Sequence, residues 1–228
     1  MSAFEIFLLA VGGALIGLDV VSFPQAMISR PLVAATVGGA VLGAPAQGLL
    51  LGVVLELIAL ETLPIGASRY PEWGSASFVG GAMLVHFWPT ITIPALVVIS
   101  LLTVTVAYLG GWSMYVLRRL NGRLANRLLP ALDAGSSSAI VRLQVMGVTA
   151  DFLRGFLVSL AALLAVPPAM RAILQRWGAS DLVALAVLCG LAIAVAMSAA
   201  WKSFHGTAHA LWFFAAGLMV GLSLLVAL

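Results

Sequence analysis

Residues 31–63 read PLVAATVGGAVLGAPAQGLLLGVVLELIALETL. The run is apolar almost throughout, with no charge before Glu56. A membrane span takes about 20 apolar residues, because roughly 30 Å of hydrocarbon is crossed at about 1.5 Å per residue. This run is too long for one ordinary span and too short for two. Pro45, inside Gly43-Ala44-Pro45-Ala46-Gln47-Gly48, falls near its middle. Proline offers no N–H and clashes with the preceding turn, so it breaks a helix there. Two half-length helices joined by a tight turn, a re-entrant hairpin, satisfy the pattern. Irregular backbone at membrane depth is tolerated only where protein or a water-filled cavity covers it.

Composition supports the same solvent. The chain has 228 residues, 63% of them hydrophobic and 8% charged, with a mean hydropathy of +1.16. Soluble domains run at roughly 45–50% apolar and about 25% charged. Membrane β-barrels alternate apolar and polar residues, and residues 49–60 and 182–200 do not. The net charge of +3 does not point to nucleic acid. Cys189 is the only cysteine, which rules out a disulfide within the chain and a thiolate metal cluster. It reads as a small buried residue. The N-terminus lacks the basic stretch of a cleaved signal peptide, so the first helix is expected to be retained.

Along the chain, an apolar segment over about residues 3–23 carries Asp19 near its end and is followed by Pro24. After the 31–63 run comes a polar interval, 64–77, then a short apolar piece, 78–88, stopped by Pro89. A span follows over 91–117. Residues 118–142 hold Arg118, Arg119, Arg123, Arg127 and Arg142. Arg119, Arg123 and Arg127 recur every fourth residue, on one helical face. This is either an interfacial amphipathic helix or a basic extension of the span, with a loop at Ser136-Ser137-Ser138. Three spans remain, over 143–166, 182–200 and 207–228, the first ended by Pro167-Pro168. The expected fold is an all-α polytopic membrane protein. N-terminal re-entrant helical hairpins are followed by about four to five transmembrane helices. All belong to one membrane domain, 1–228, with the re-entrant segments and the site in 1–90 and the spans in 91–228. The positive-inside rule puts the 118–142 loop in the cytoplasm. Gly13/Gly17, Gly39/Gly43, Gly48/Gly52 and Gly217/Gly221 have the spacing that lets helix backbones approach, within one subunit or between subunits.

The residues that invite a chemical reading are ionisable groups at membrane depth, where a charge costs at least ~2.5–3.5 kcal/mol. Glu56 has four apolar residues on either side, and Glu61 follows it. They are ligand or proton sites at the end of a broken helix, or partners of Arg30 or Arg69 in an ion pair. Asp19 and Arg30 bracket a polar break with Ser22, Gln25 and Ser29. That break is either an unwound segment lining a cavity or a solvated turn. Asp151 and Arg154 are three apart and suit a structural ion pair along one helix. His205 and His209 are four apart but lack a third metal ligand beside them, and His86 reads as interfacial. No nucleophile elbow, phosphate-binding loop or dinucleotide fingerprint occurs, so neither covalent catalysis nor a cofactor is expected of this chain.

Arg30-Pro31-Leu32-Val33-Ala34-Ala35-Thr36, Val41-Leu42-Gly43, Gly48-Leu49-Leu50-Leu51-Gly52, Leu55-Glu56-Leu57-Ile58-Ala59-Leu60 and Ile65-Gly66-Ala67 form an ordered series. It resembles the N-terminal part of the IIC membrane subunit of the mannose/fructose/sorbose class of bacterial sugar phosphotransferase systems. The resemblance implies a permease subunit in the bacterial inner membrane that carries a hexose-type sugar. It also implies a IID membrane partner, a trimer of IIC–IID pairs, and cytoplasmic IIA and IIB proteins, supplied through HPr, that hold the phosphohistidine chemistry. The family's sugar-site glutamate corresponds to Glu56. Where the family commonly has Gly-Trp-Met-Asn this chain has Glu61-Thr62-Leu63-Pro64, and Met27-Ile28-Ser29 stands where Gln-x-His is usual. Broken helices with a buried carboxylate also suit a secondary transporter that needs no phosphate donor. A non-transporting sensor or anchor for phosphotransfer proteins is the third reading.

Overall fold

The computed structural model describes residues 1–60, 62, 70–87, 92–204 and 209–227, all of whose regular structure is helical. The elements are α1 (Ala3–Leu18), α2 (Pro31–Val41), α3 (Pro45–Ala59), α4 (Trp73–His86), α5 (Ile93–Asp133), α6 (Ser137–Leu174), α7 (Asp181–Phe204) and α8 (Ala210–Ala227).

The Pro45 break is a helical hairpin. The amide of Gly43 donates to Ala40 O at 2.9 Å and that of Ala44 to Gly39 O at 3.0 Å, which is the Schellman closure of a helix. Gly43 sits at φ +82°, where a β-carbon would be strained, and Pro45 then opens α3 at its first position, where its missing N–H costs nothing. The two arms lie backbone to backbone. A β-carbon on Gly48 would stand 2.2 Å from Ala35 O, and one on Gly52 would stand 3.0 Å from Leu32.

The hairpin packs on α4, the hub of the molecule. Trp73 through Leu84 are all buried, and α4 touches α1, α2, α3, α5 and α6. A helix apolar all round belongs in the interior. The polar interval is therefore shorter than the sequence suggests, because α4 begins at Trp73. The Glu72 carboxylate caps the new helix by accepting from Ser75 N at 3.0 Å. Small residues then admit close neighbours: a β-carbon on Gly81 would stand 2.1 Å from Ala35 O.

α5 and α6 form a long antiparallel pair, and among the described residues they are the two helices long and apolar enough to cross a membrane. At about 1.5 Å per residue, the 41 residues of α5 reach roughly 60 Å, about twice the hydrocarbon thickness. The basic stretch is thus an extension of the span, not a separate interfacial helix. The expected serine loop shrinks to residues 134–136. Gly135, at φ +73°, closes α5, and the Ser136 hydroxyl accepts from Ala139 N at 3.4 Å to open α6. Nor do Pro167-Pro168 end a span, since α6 runs through both to Leu174. Leu163 and Val166 on one side and Met170 on the other are buried in the same core, which holds the helix across the missing bonds.

α7 lies on α3 and α5, and Trp201 meets Phe214 of α8 edge-to-face with centroids 5.5 Å apart. Exposed Leu182, Val183, Val187 and Ile193 face outward along α7, a surface suited to lipid and not to water. Cys189 is exposed on this helix, not buried. Of the spaced glycines, Gly13, Gly17, Gly39, Gly48 and Gly52 serve packing within the subunit, whereas Gly217 and Gly221 meet nothing within 4 Å.

Candidate functional site

Four structural features converge where α1, the hairpin and α4 meet. α1 ends at Leu18, and the chain runs irregularly to Arg30, with Gln25 and Met27 at positive φ. Asp19, buried at the end of α1, organises this segment. Its carboxylate accepts from Ala26 N at 2.6 Å, Ser29 N at 2.9 Å and Ser29 Oγ at 2.8 Å. Three such charge-assisted bonds pin the far end of the irregular segment back onto the end of α1. Asp19 therefore stands behind the site and orients Ser29.

Arg30 is the residue before α2, and Glu56 lies in the last turns of α3. The hairpin folds them together, and an Arg30 Nη2 bonds to Glu56 Oε1 as an ion pair. Glu56 Oε2 accepts from Leu32 N at 3.1 Å, one of the orphan amides at the start of α2. The pair is not sealed, since the side chains are 33% and 21% exposed. Arg30 is the partner observed, while Glu61 and Arg69 lie outside the described residues.

Beside the pair is a cavity of about 50 Å³ lined by Ser29, Arg30, Thr62, Tyr70 and Trp73, with Val20 at its edge. Trp73 Nε1 donates to Thr62 Oγ1 at 3.0 Å, and Tyr70 and Trp73 are almost fully buried. Arg118 of α5 stands 5.0 Å from the centre of the Tyr70 ring and donates to its hydroxyl. The arrangement offers a guanidinium, hydroxyls, a carboxylate one bond behind and two aromatic faces, a set suited to a neutral polyhydroxylated solute. In the sequence Tyr70 and Trp73 fall within the polar interval 64–77. The signal that marks them is two aromatic rings flanking Pro71-Glu72 in a chain otherwise made of spans.

Asp151 and Arg154 form a second ion pair, within α6. Arg154 Nε donates to Asp151 Oδ1 at 2.9 Å, as their spacing suggests. Arg154 Nη1 reaches Ser113 Oγ of α5 at 3.3 Å, and Ser22 Oγ donates to Asp151 Oδ2 at 2.6 Å. His86 is exposed at the end of α4, with its ring edge-to-face on Phe87 at 5.4 Å. His205 lies outside the described residues, among which no cluster of metal-ligating side chains occurs.

Comparison with known proteins adds three observations. Residues 3–227 match the family described as the PTS system sorbose-specific IIC component. The chain is 33% identical over 85 residues to the sorbose-specific EIIC component of Lacticaseibacillus casei, covering 37% of this chain and 30% of that one. It is 35% identical over 85 residues to the fructose permease IIC component of Bacillus subtilis (strain 168), covering 37% and 31%. The aligned stretch thus spans under a third of these relatives' lengths. Among solved structures, the fold is similar to one described only as a membrane protein, with a TM-score of 0.77, 20% identity and coverage of 97% of this chain and 87% of that one. It is also similar to a chain in a cryo-EM complex of the mannose transporter ManYZ with microcin E492, with a TM-score of 0.62, 22% identity and the same coverages.

Proposed function

Because this chain belongs to the family of phosphotransferase-system sorbose-specific IIC components, we propose that it translocates a hexose-type sugar across the bacterial inner membrane, coupled to phosphorylation by cytoplasmic IIA and IIB proteins. The observation that carries this reading is the Arg30–Glu56 pair beside a polar cavity with two aromatic walls. In the proposed mechanism a sugar hydroxyl takes the place of Arg30 on Glu56. The freed guanidinium donates to a neighbouring oxygen, and the apolar face of the ring lies on Trp73 or Tyr70. Asp19 holds Ser29 in place, and Glu61 is a further candidate for the same wall. A cavity of about 50 Å³ is on the order of the space of a few waters. Sugar entry therefore requires the α2–α3 hairpin to move relative to α4, which exposes the site to each side of the membrane in turn.

The family match and the similar ManYZ complex support a IID membrane partner for this scheme. The scheme further includes assembly as a trimer of IIC–IID pairs, and IIA and IIB proteins supplied through HPr. The same scheme puts the arginine-rich 118–142 region in the cytoplasm. The test is uptake of labelled sorbose, fructose and mannose in a transporter-deficient host expressing the chain with its IID and IIAB partners. Sugar is expected to accumulate as its phosphate. Glu56→Gln should lower uptake by at least about tenfold, the worth of one charge-assisted bond. Membrane-inserted protein that moves none of the three sugars, or a Glu56→Gln variant as active as the parent, would refute the reading.

A further inference from the structure

A second cavity, of about 340 Å³, opens between α5, α6 and the 19–30 segment. Its polar wall consists of Ser22, Arg118, Asn121, Gln144 and Asp151. Asn121 is half-buried and Gln144 exposed, so both amides, which donate and accept, are open to a solute in the cavity. Small residues, Gly122, Ala125 and Gly147, line the adjoining gap between α5 and α6. Glycine at a helix interface ordinarily brings backbones together. Here a β-carbon on Gly147 would find only Asn121 Nδ2, at 4.0 Å, so the space is left open. Arg118 is already bonded to Tyr70, and Asp151 to Ser22 and Arg154, so the free hydrogen-bonding capacity of this wall lies with the two amides.

The two cavities share one partition. Val20 edges the first, and Val21 and Ser22 edge the second. Tyr70 walls the first, and Arg118, bonded to the Tyr70 hydroxyl, walls the second. The Asp151 carboxylate disfavours an anion and the Arg118 guanidinium disfavours a cation, while the two amides and Ser22 suit hydroxyl groups. The volume falls at the low end of the roughly 300–1,000 Å³ of small-molecule sites. We propose that this cavity is a second binding station for the transported sugar, on the arginine-rich side of the protein, and that Tyr70–Arg118 is the gate between the stations. The proposal rests on the permease reading above.

The test uses inside-out vesicles holding the full chain with its membrane partner, in a Cys189→Ser background. Thr62→Cys reports on the first cavity and Asn121→Cys on the second, with Arg127→Cys on the exposed face of α5 as control. A membrane-impermeant maleimide is applied with and without sorbose, fructose or mannose. With sugar about tenfold above half-saturation, modification of the first two is expected to slow by about tenfold, and that of the control to stay unchanged. Adding Gln144→Leu should remove protection at Asn121→Cys and keep it at Thr62→Cys. If Asn121→Cys does not assemble, Gln144→Cys with Asn121→Leu is the reciprocal pair. Protection at Thr62→Cys alone, or protection of the second cavity that ignores the Leu substitution, overturns the second station and leaves the permease reading standing. Protection at neither position by any of the three sugars overturns both.

Discussion

The Ser22 hydroxyl donates to Asp151 Oδ2 at 2.6 Å, joining residues 129 positions apart. This bond ties the irregular 19–30 segment to α6, where Asp151 also holds the buried Arg154. Asp151→Asn leaves that guanidinium buried without its counter-charge, which typically costs about 3–5 kcal/mol. Thermal unfolding in detergent should show a large loss for Asp151→Asn. The double variant Asp151→Asn/Arg154→Met should recover part of it, because the orphan charge is gone. A double variant less stable than Asp151→Asn would contradict this account.

Arg30 and Glu56 should behave as a coupled pair. Arg30→Gln and Glu56→Gln each leave the other charge uncompensated, so the double substitution should destabilise by less than the sum of the singles. A coupling of about 1 kcal/mol or more is expected for a contact of this kind. Additive effects in a thermal-shift cycle would mean that the two groups do not meet in the membrane.

The hairpin depends on absent side chains. Gly48→Leu drives atoms into Ala35 O, which an added β-carbon already approaches to 2.2 Å, and overpacking of this sort costs about 1–3 kcal/mol or more. Gly122→Ala, in the middle of α5 with nothing within 4 Å, should instead stabilise by up to about 1 kcal/mol. Opposite shifts in melting temperature for the two substitutions are the expected result.

Gly43 supplies the turn, at φ +82° with no neighbour within 4 Å. Gly43→Ala should therefore cost about 1–2 kcal/mol from backbone strain alone, with no clash. Gly43→Asn should cost less, because asparagine tolerates the left-handed region. Equal losses for the two would point to a steric cause instead.

The parts of this architecture that were legible in the sequence are those governed by local chemistry. Pro45 announced the hairpin, because a proline in an apolar run has one consequence nearby. The i, i+3 spacing of Asp151 and Arg154 announced their pairing, and the arginines after residue 117 announced a basic end. What stayed hidden depends on distant partners. Pro167-Pro168 looked like a stop because the core residues that brace α6 on both sides are not adjacent in sequence. Asp19 looked like a possible ligand, and only the fold of residues 26–29 shows its oxygens already engaged. Tyr70 and Arg118, 48 residues apart, had no local mark of their meeting. Glu56 was legible as a charge that needs a reason, but the choice of Arg30 as its partner required the hairpin to be closed.

The length of α5 has a mechanical consequence. The helix runs from its buried start at Pro94 and Ala95 through the arginines at 118–127, and Pro130 falls only in its last turn. A stiff rod of roughly 60 Å acts as a lever, and a tilt of about 10° at one end sweeps the other through on the order of 10 Å. A small rocking of the bundle within the bilayer is thereby magnified at the tip. Any protein gripping that tip would register the internal state of the site as a change of position, with no loop or hinge needed to carry the signal.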